Sequence, residues 1–337
     1  MGSEHLFLLS FMTILSLFFI HDKLMSQTLT TVHYRPASQI PGSFNKLMFS
    51  EVTLMGQFNY PNLGNHTSTW CKEWSRVFHK DNIIMAMPEG TEIKPNIATC
   101  SVMKYPNEEK PGFVTPYTNL AKVIRKVSHQ SKGLLYVHDD LMVTRNLLQK
   151  ILDNEKRWIA CKHGKGIKIY LNGTISNYNV RKWSYWKFCE LKFMKLIGNP
   201  QMKTYLQNSE SSGVPFLRVE LGQSDMLYLS LHSAEVTDAF LVLLDLFGKY
   251  DLSLECALPT AVSLIQQRFT IERHEALLCT DFKDEGIKTR GYTTRGTREM
   301  VTNCLIENRT YEVFHPLKLS TFTDWSEFFG YLVLGQG

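Results

Sequence analysis

The stretch GLLYVHDDLMV, residues 133–143, decides how the rest of this chain is read. Gly133 opens an apolar run, Leu134 to Val137, that ends in His138 and two adjacent carboxylates, Asp139 and Asp140, before Leu141, Met142 and Val143 resume the apolar pattern. A short continuous apolar run bounded by turn residues reads as a strand buried on both faces, the habit of parallel sheets. Thr144 then stands as the N-cap of a helix over 145–152. Acids at the end of such a strand make a polar site on a rigid support, and if buried they need a partner.

The neighbouring segments fit around that strand. Residues 47–54, 82–87 and 100–105 read as further strands. Helices are expected over 68–78, with Trp70, Trp74 and Val77 or Phe78 on one face, and over 116–129, with Leu120, Val123 and Ile124 facing inward. Strands alternating with helices predict an α/β fold, a Rossmann-type, mostly parallel sheet with helices on both faces. The second half alternates less regularly: strands are expected over 167–171, 215–219 and 223–229, and helices over 182–197, 234–247 and 254–267. Pro259 falls in an early turn of the last helix or at a kink in it. In open α/β sheets ligands gather beyond the carboxyl ends of the strands, so His138-Asp139-Asp140 lies where a ligand is expected.

The chain has 337 residues, 44% of them hydrophobic and 20% charged, enough for a large core and without the composition of disorder. A net charge of +5 with no aromatic-basic repeat excludes a nucleic-acid partner. The basic run Lys162-His163-Gly164-Lys165-Gly166-Ile167-Lys168 reads as a phosphate-attracting loop or a plain solvated one. At the N-terminus, LFLLSFMTILSLFFI over 6–20 predicts a signal-anchor or cleaved signal in 1–23, with a buried N-terminal element as the third reading. A polar stem or linker with Pro36 and Pro41 follows over 24–45, then a catalytic domain over 46–337. The expected placement is a single-pass type II protein of the Golgi or endoplasmic reticulum membrane with its catalytic domain lumenal, or a secreted protein if the segment is cleaved. Sequons at Asn65, Asn172 and Asn308 agree with that route. Seven cysteines permit up to three disulfides with one thiol unpaired, and Cys189 and Cys256, in apolar helical contexts, read as core.

Adjacent carboxylates at a strand end suit a divalent cation, Mn²⁺ or Mg²⁺, whose remaining positions a diphosphate and water fill. Asp140 is the leading ligand. Asp139 is placed to bind sugar or ribose hydroxyls or to orient metal-bound water, and alternation along the strand lets only one of His138 and Asp139 face the crevice. A base must come from elsewhere: Asp225 precedes an apolar strand, and Glu255 lies within LSLECALPTA, paired in a cleft or turned to solvent. His315 is a candidate metal or diphosphate contact, Lys318 a candidate phosphate partner, and Trp183 with Trp186 either a sugar-stacking wall or ordinary helix neighbours. The plainer alternatives are acids that cap the following helix and a histidine that belongs to the core.

Together these residues resemble a Golgi-type GT-A nucleotide-sugar glycosyltransferase, in which a short anchor, a stem and an α/β domain carry an Asp-any-Asp metal motif at the end of a central strand. Tyr136-Val137-His138-Asp139-Asp140 occupies the place of that motif, with His138 standing where the first acid is expected. The resemblance implies metal contact through Asp140, with Asp139 and the C-terminal His315 beside it. It also implies an acceptor side near Gln223-Ser224-Asp225, and Glu255 as base or orienting acid. The activity it implies is metal-dependent transfer of a sugar from a nucleotide-sugar, a UDP-sugar in particular, to a glycan or protein hydroxyl, with a glycan or glycoprotein as acceptor. The competing readings are a catalytically inactive carbohydrate-binding protein of the secretory pathway and a metal-dependent lumenal hydrolase.

Overall fold

The computed structural model describes residues 49–59, 64–91, 100–106, 115–161, 167–172, 174–176, 186–209, 216–220, 225–279, 301, 304–305, 310–315, 317 and 325–335. Contacts divide the chain into a unit of 44–336 and another of 1–43 with 337, and every described residue belongs to the former.

Seven strands form the main sheet: β1 (Val52–Gln57), β2 (Ile83–Pro88), β3 (Ser101–Tyr105), β4 (Gly133–His138), β6 (Trp158–Cys161), β10 (Met226–Ser230) and β11 (Arg273–Ala276), in the order β11-β6-β10-β4-β1-β2-β3. All run parallel except β10, which is antiparallel to both β4 and β6. Two small sheets flank it. One joins β7 (Ile167–Tyr170), β8 (Ile175–Ser176) and β9 (Phe216–Val219); the other joins β5 (Met142–Val143), β12 (Leu278–Cys279) and β13 (Val313–Phe314). The architecture is thus the expected mostly parallel α/β sheet of Rossmann or GT-A-like type.

Side-chain alternation divides the core in two. On one face Met55, Leu134, Tyr136, Leu227 and Leu229 pack under α2 (Thr115–Val127), α4 (Trp186–Ile197), α5 (Pro200–Ser209), α6 (Ala234–Lys249) and α7 (Leu254–Arg268). On the other, Leu54, Leu135, Val137 and Tyr228 pack against α1 (Gly64–Trp74), α3 (Arg145–Asp153) and α8 (Trp325–Leu332). All six residues of β4 are buried, as its unbroken apolar run requires. Gly56 is needed where it stands: a Cβ there would lie 2.5 Å from the Trp70 ring.

Several boundaries move for physical reasons. Strand β1 begins later than the expected 47–54, because its pairing with β4 starts at Val52 against Gly133. The helix expected over 68–78 ends at Trp74, and Phe78 turns back to bridge and stack on Phe49 at 4.7 Å, which explains its apolar spacing without a further helical turn. Thr144 holds the N-cap position of α3, yet its side chain makes no capping hydrogen bond; its backbone N–H donates to the Glu312 carbonyl instead. Cys189 is bonded to Cys256, across α4 and α7, which corrects their reading as plain core. Cys71–Cys100 and Cys279–Cys304 are also bridged, and Cys161 is a buried free thiol.

Membrane attachment is corrected as well. Among the described residues no helix is long and apolar enough to cross a membrane. The longest of these, α6, has 16 residues, short of the roughly 20 that a bilayer core requires. The type II topology, the Golgi or endoplasmic reticulum membrane placement and the membrane partner drawn from them are withdrawn; the 6–20 segment that prompted them lies outside the described residues. So do the stem at 24–45, the 162–166 part of the basic run, Trp183, Gln223, Ser224, Asn308 and Lys318.

Candidate active site at the carboxyl edge of the sheet

Strands β1 and β4 leave the sheet in different directions along the strand order: β2 and β3 extend one side of β1, and β4 lies on the other. The crevice between their carboxyl ends is a topological switch point, where open α/β sheets bind ligands. In register across it sit Gln57 at the end of β1 and His138 at the end of β4. Because β10 is antiparallel, its beginning lies at the same edge. Met226 pairs with Val137, and one step further the His138 N–H donates to the Asp225 carbonyl at 2.9 Å. Gln57, His138 and Asp225 therefore form a row across three strands, on the face shared with Met55, Tyr136 and Leu227.

Each member of the row is held. The His138 Nε2 lies 2.5 Å from the hydroxyl of Tyr136, two residues earlier on the same strand face, and its Nδ1 lies 3.3 Å from Asp225 Oδ1. Burial pushes the His138 imidazole below its ordinary pKa, against the opposing pull of Asp225 and Asp140. Burial also pushes the Tyr136 phenol well above its ordinary value, with Asp225 adding to the shift, so the hydroxyl keeps its proton. Gln57 donates from Nε2 to the Tyr105 hydroxyl at 3.1 Å and accepts at Oε1 from Asn119 at 3.3 Å. Tyr105 in turn donates to the Phe58 carbonyl, and its phenol is raised by burial and by the nearby Asp139 charge.

The C-terminal strap completes the cluster. Antiparallel pairing of β13 with β5 lays His315 alongside the turn that follows β4, and the Leu317 N–H donates to the Asp140 carbonyl at 2.5 Å. His315 Nε2 then lies 3.4 Å from Asp140 Oδ1 and 3.7 Å from Asp225 Oδ2. The strap is anchored by Glu312, a buried carboxylate in contact with Lys150 of α3. It also accepts from His274 of β11 at 2.8 Å and from the Leu277 N–H at 3.1 Å. Burial alone would raise the Glu312 carboxyl, but these donors outweigh it and hold the carboxyl below its ordinary value.

Glu255 enters from the first turn of α7. Burial raises its pKa, and the Asp225 carboxylate adds to the rise, while a hydrogen bond from Ser253 opposes it. The acid within LSLECALPTA is thus in the electrostatic field of Asp225. Pro259 sits inside the same helix and has no N–H to close on the Glu255 carbonyl.

So His138, Asp140, Asp225 and His315 come together, with Asp139 buried beside them and Glu255 acting on them through charge. Local pattern missed Tyr136, Gln57, Tyr105 and the Glu312 anchor. The signal for Tyr136 was present in its spacing of two from His138, which puts both on one strand face.

The metal expectation is corrected. Among the described residues no group of three or more His, Cys, Asp or Glu side chains is placed to hold a metal ion. The physical reason lies in the pairing: His138 is turned onto Asp225, and His315 onto Asp140 and Asp225, so the imidazoles and carboxylates face one another. The metal-ligand assignment of Asp139, Asp140 and His315 to Mn²⁺ or Mg²⁺ is set aside, and no step below runs through a cation.

No family model matches the chain. No curated protein matches it either. Among solved structures, it is similar to a mannose-1-phosphate geranyltransferase from Thermus thermophilus, with 11% identity over 63% of this chain and 68% of that one, at a TM-score of 0.31. It is also similar to the apo form of mouse xyloside xylosyltransferase 1, with 13% identity over 78% of this chain and 97% of that one, at a TM-score of 0.32. Both are weak structural likenesses and carry no argument about what this chain does.

Proposed function

We propose that the chain is a glycosyltransferase that moves a sugar from a nucleotide-sugar, a UDP-sugar first among them, to a hydroxyl of a glycan or glycoprotein. The observation that carries this reading is the row Gln57–His138–Asp225 at the switch point, with Asp140 and His315 beside it. Open α/β sheets bind their ligands at such a crevice, and the acids supply what sugar transfer needs at the acceptor. In this scheme the acceptor oxygen bonds to the anomeric carbon, and the bond from that carbon to the diphosphate oxygen breaks. The nucleoside diphosphate leaves with the electron pair, and the acceptor proton passes to Glu255. A carboxylate of raised pKa is the stronger proton acceptor, which favours Glu255 over an ordinary surface acid. Asp225, held between two imidazoles, orients the sugar or acceptor hydroxyl.

The test is nucleotide release by the full chain from a panel of UDP-sugars, with and without acceptor glycans and with and without added divalent cation, alongside calorimetry of UDP binding. Acceptor-dependent release is expected. Losses on the order of a hundredfold or more are expected in Asp225→Asn and Glu255→Gln, the size of a general acid–base contribution, with UDP still bound by Glu255→Gln. Release that ignores the acceptor would make the protein a hydrolase. An absence of UDP binding across all conditions would end the nucleotide-sugar reading.

A further inference from the structure

His138 stands where the resemblance expects a carboxylate that touches the ligand, and the structure gives it other work. Both its ring nitrogens face protein groups: Nε2 lies 2.5 Å from the Tyr136 hydroxyl and Nδ1 lies 3.3 Å from Asp225 Oδ1. The side chain is 8% exposed against 18% for Asp225, so the carboxylate, not the imidazole, is the part of this pair that meets the crevice. The backbone bond from His138 N–H to the Asp225 carbonyl fixes the two residues opposite each other across β4 and β10. We propose that His138 is a positioning residue: its imidazole accepts at Nε2 from Tyr136, carries its proton on Nδ1, and turns that N–H onto Asp225 to fix the direction in which the carboxylate meets the substrate. This rests on the glycosyl-transfer reading for its consequence but not for its geometry.

The proton order follows from donor chemistry. Tyr136 lies fully within the core, and no solvent is available to take its hydroxyl proton. A phenol that keeps its proton donates, so Nε2 must be the accepting nitrogen. In a neutral imidazole the proton is then on Nδ1, the nitrogen that faces Asp225. The Tyr136 hydroxyl at Nε2 and the Asp225 carboxylate at Nδ1 favour the same tautomer, and the histidine in turn aims the carboxylate. His315 meets Asp225 at the other oxygen, Oδ2, at 3.7 Å, and leaves the aim of Oδ1 to His138.

The experiment is nitrogen-15 spectroscopy of the full chain labelled at its 11 histidines, with the His138 signals assigned by their loss in His138→Leu. The expected result is a neutral ring with its proton on Nδ1. A ring protonated at Nε2 overturns the proposal. Kinetics supply a second readout. His138→Asn, whose amide N–H can stand in for Nδ1–H, should retain activity within about tenfold, while His138→Leu loses on the order of a hundredfold in kcat with little change in donor KM. Equal activity of the Asn and Leu variants, at matched thermal stability, also overturns it. The tautomer is read without turnover, so an inactive parent chain counts against glycosyl transfer and leaves His138 to be decided by its spectrum.

Discussion

Glu312→Gln tests how the strap that carries His315 is held. The substitution keeps the volume and an oxygen for the Leu277 N–H, but removes the charge that Lys150 and His274 satisfy. The Lys150 partner is 38% exposed, so its share of the loss is at most about 1 kcal/mol. The hydrogen bond from His274 ends on a carboxylate 5% exposed and adds about 1–2 kcal/mol. A total of about 1–3 kcal/mol corresponds to a fall in Tm of about 2–12 °C for a domain of this size. Glu312→Ala also strands the Leu277 N–H and should cost about 1–3 kcal/mol more. The effect carries a pH signature. Folding holds the carboxyl below its ordinary value of 4.5, so its contribution is complete above that pH and is lost as pH falls through the lower folded value. Differential scanning fluorimetry of the oxidised protein between about pH 3 and pH 7 should therefore show the gap between parent and Glu312→Gln closing at the acid end. A Tm within about 1 °C of the parent at pH 7, or a gap that persists unchanged to about pH 3, would refute the buried-anchor account.

Three further outcomes follow from other parts of the molecule. Gly56→Ala drives a methyl group against Trp70 in a filled core and should cost about 2–3 kcal/mol in a denaturant titration; no loss would mean that the indole has room to shift. Replacing both Cys189 and Cys256 by serine opens a span of 67 residues, against 29 and 25 for the other two bridges. It should give the largest loss of the three double replacements, about 4 kcal/mol by loop entropy, measurable as the shift in urea midpoint. Glu255→Gln should raise Tm near pH 7 while lowering transfer on the order of a hundredfold or more. Burial lifts the carboxyl pKa, so the folded state resists its ionisation; that penalty is absent below the ordinary value of 4.5 and grows as pH rises past it. A Tm gain as large at about pH 4 as at pH 7 would contradict this assignment.

Much of the scaffold was legible because burial writes itself into local pattern. The unbroken run Leu134 to Val137 marked a central strand, and the spacing of Leu120, Val123 and Ile124 marked the inward face of α2. Strand direction left no such mark: the residues of β10 read the same whichever way they run, so the meeting of Asp225 with His138 was hidden. Strand β6 was missed because Trp158–Cys161 is too short for a periodicity to declare itself. The anchor of Glu312 on Lys150 and His274 joins segments far apart in sequence, and no spacing rule connects them. Asp140 and His315 were singled out as neighbours on one cation; they lie together, but turned onto one another.

The reversal of β10 has a consequence for how the protein matures. The parallel strands β1, β2 and β4 are complete by residue 138, so a nascent chain already owns the scaffold of the crevice while holding none of its counterparts. Asp225 arrives only when a later segment threads back between β4 and β6, and His315 only when the strap closes on β5 near the chain's end. The cluster of His138, Asp140, Asp225 and His315 is therefore complete only when both later segments are in place.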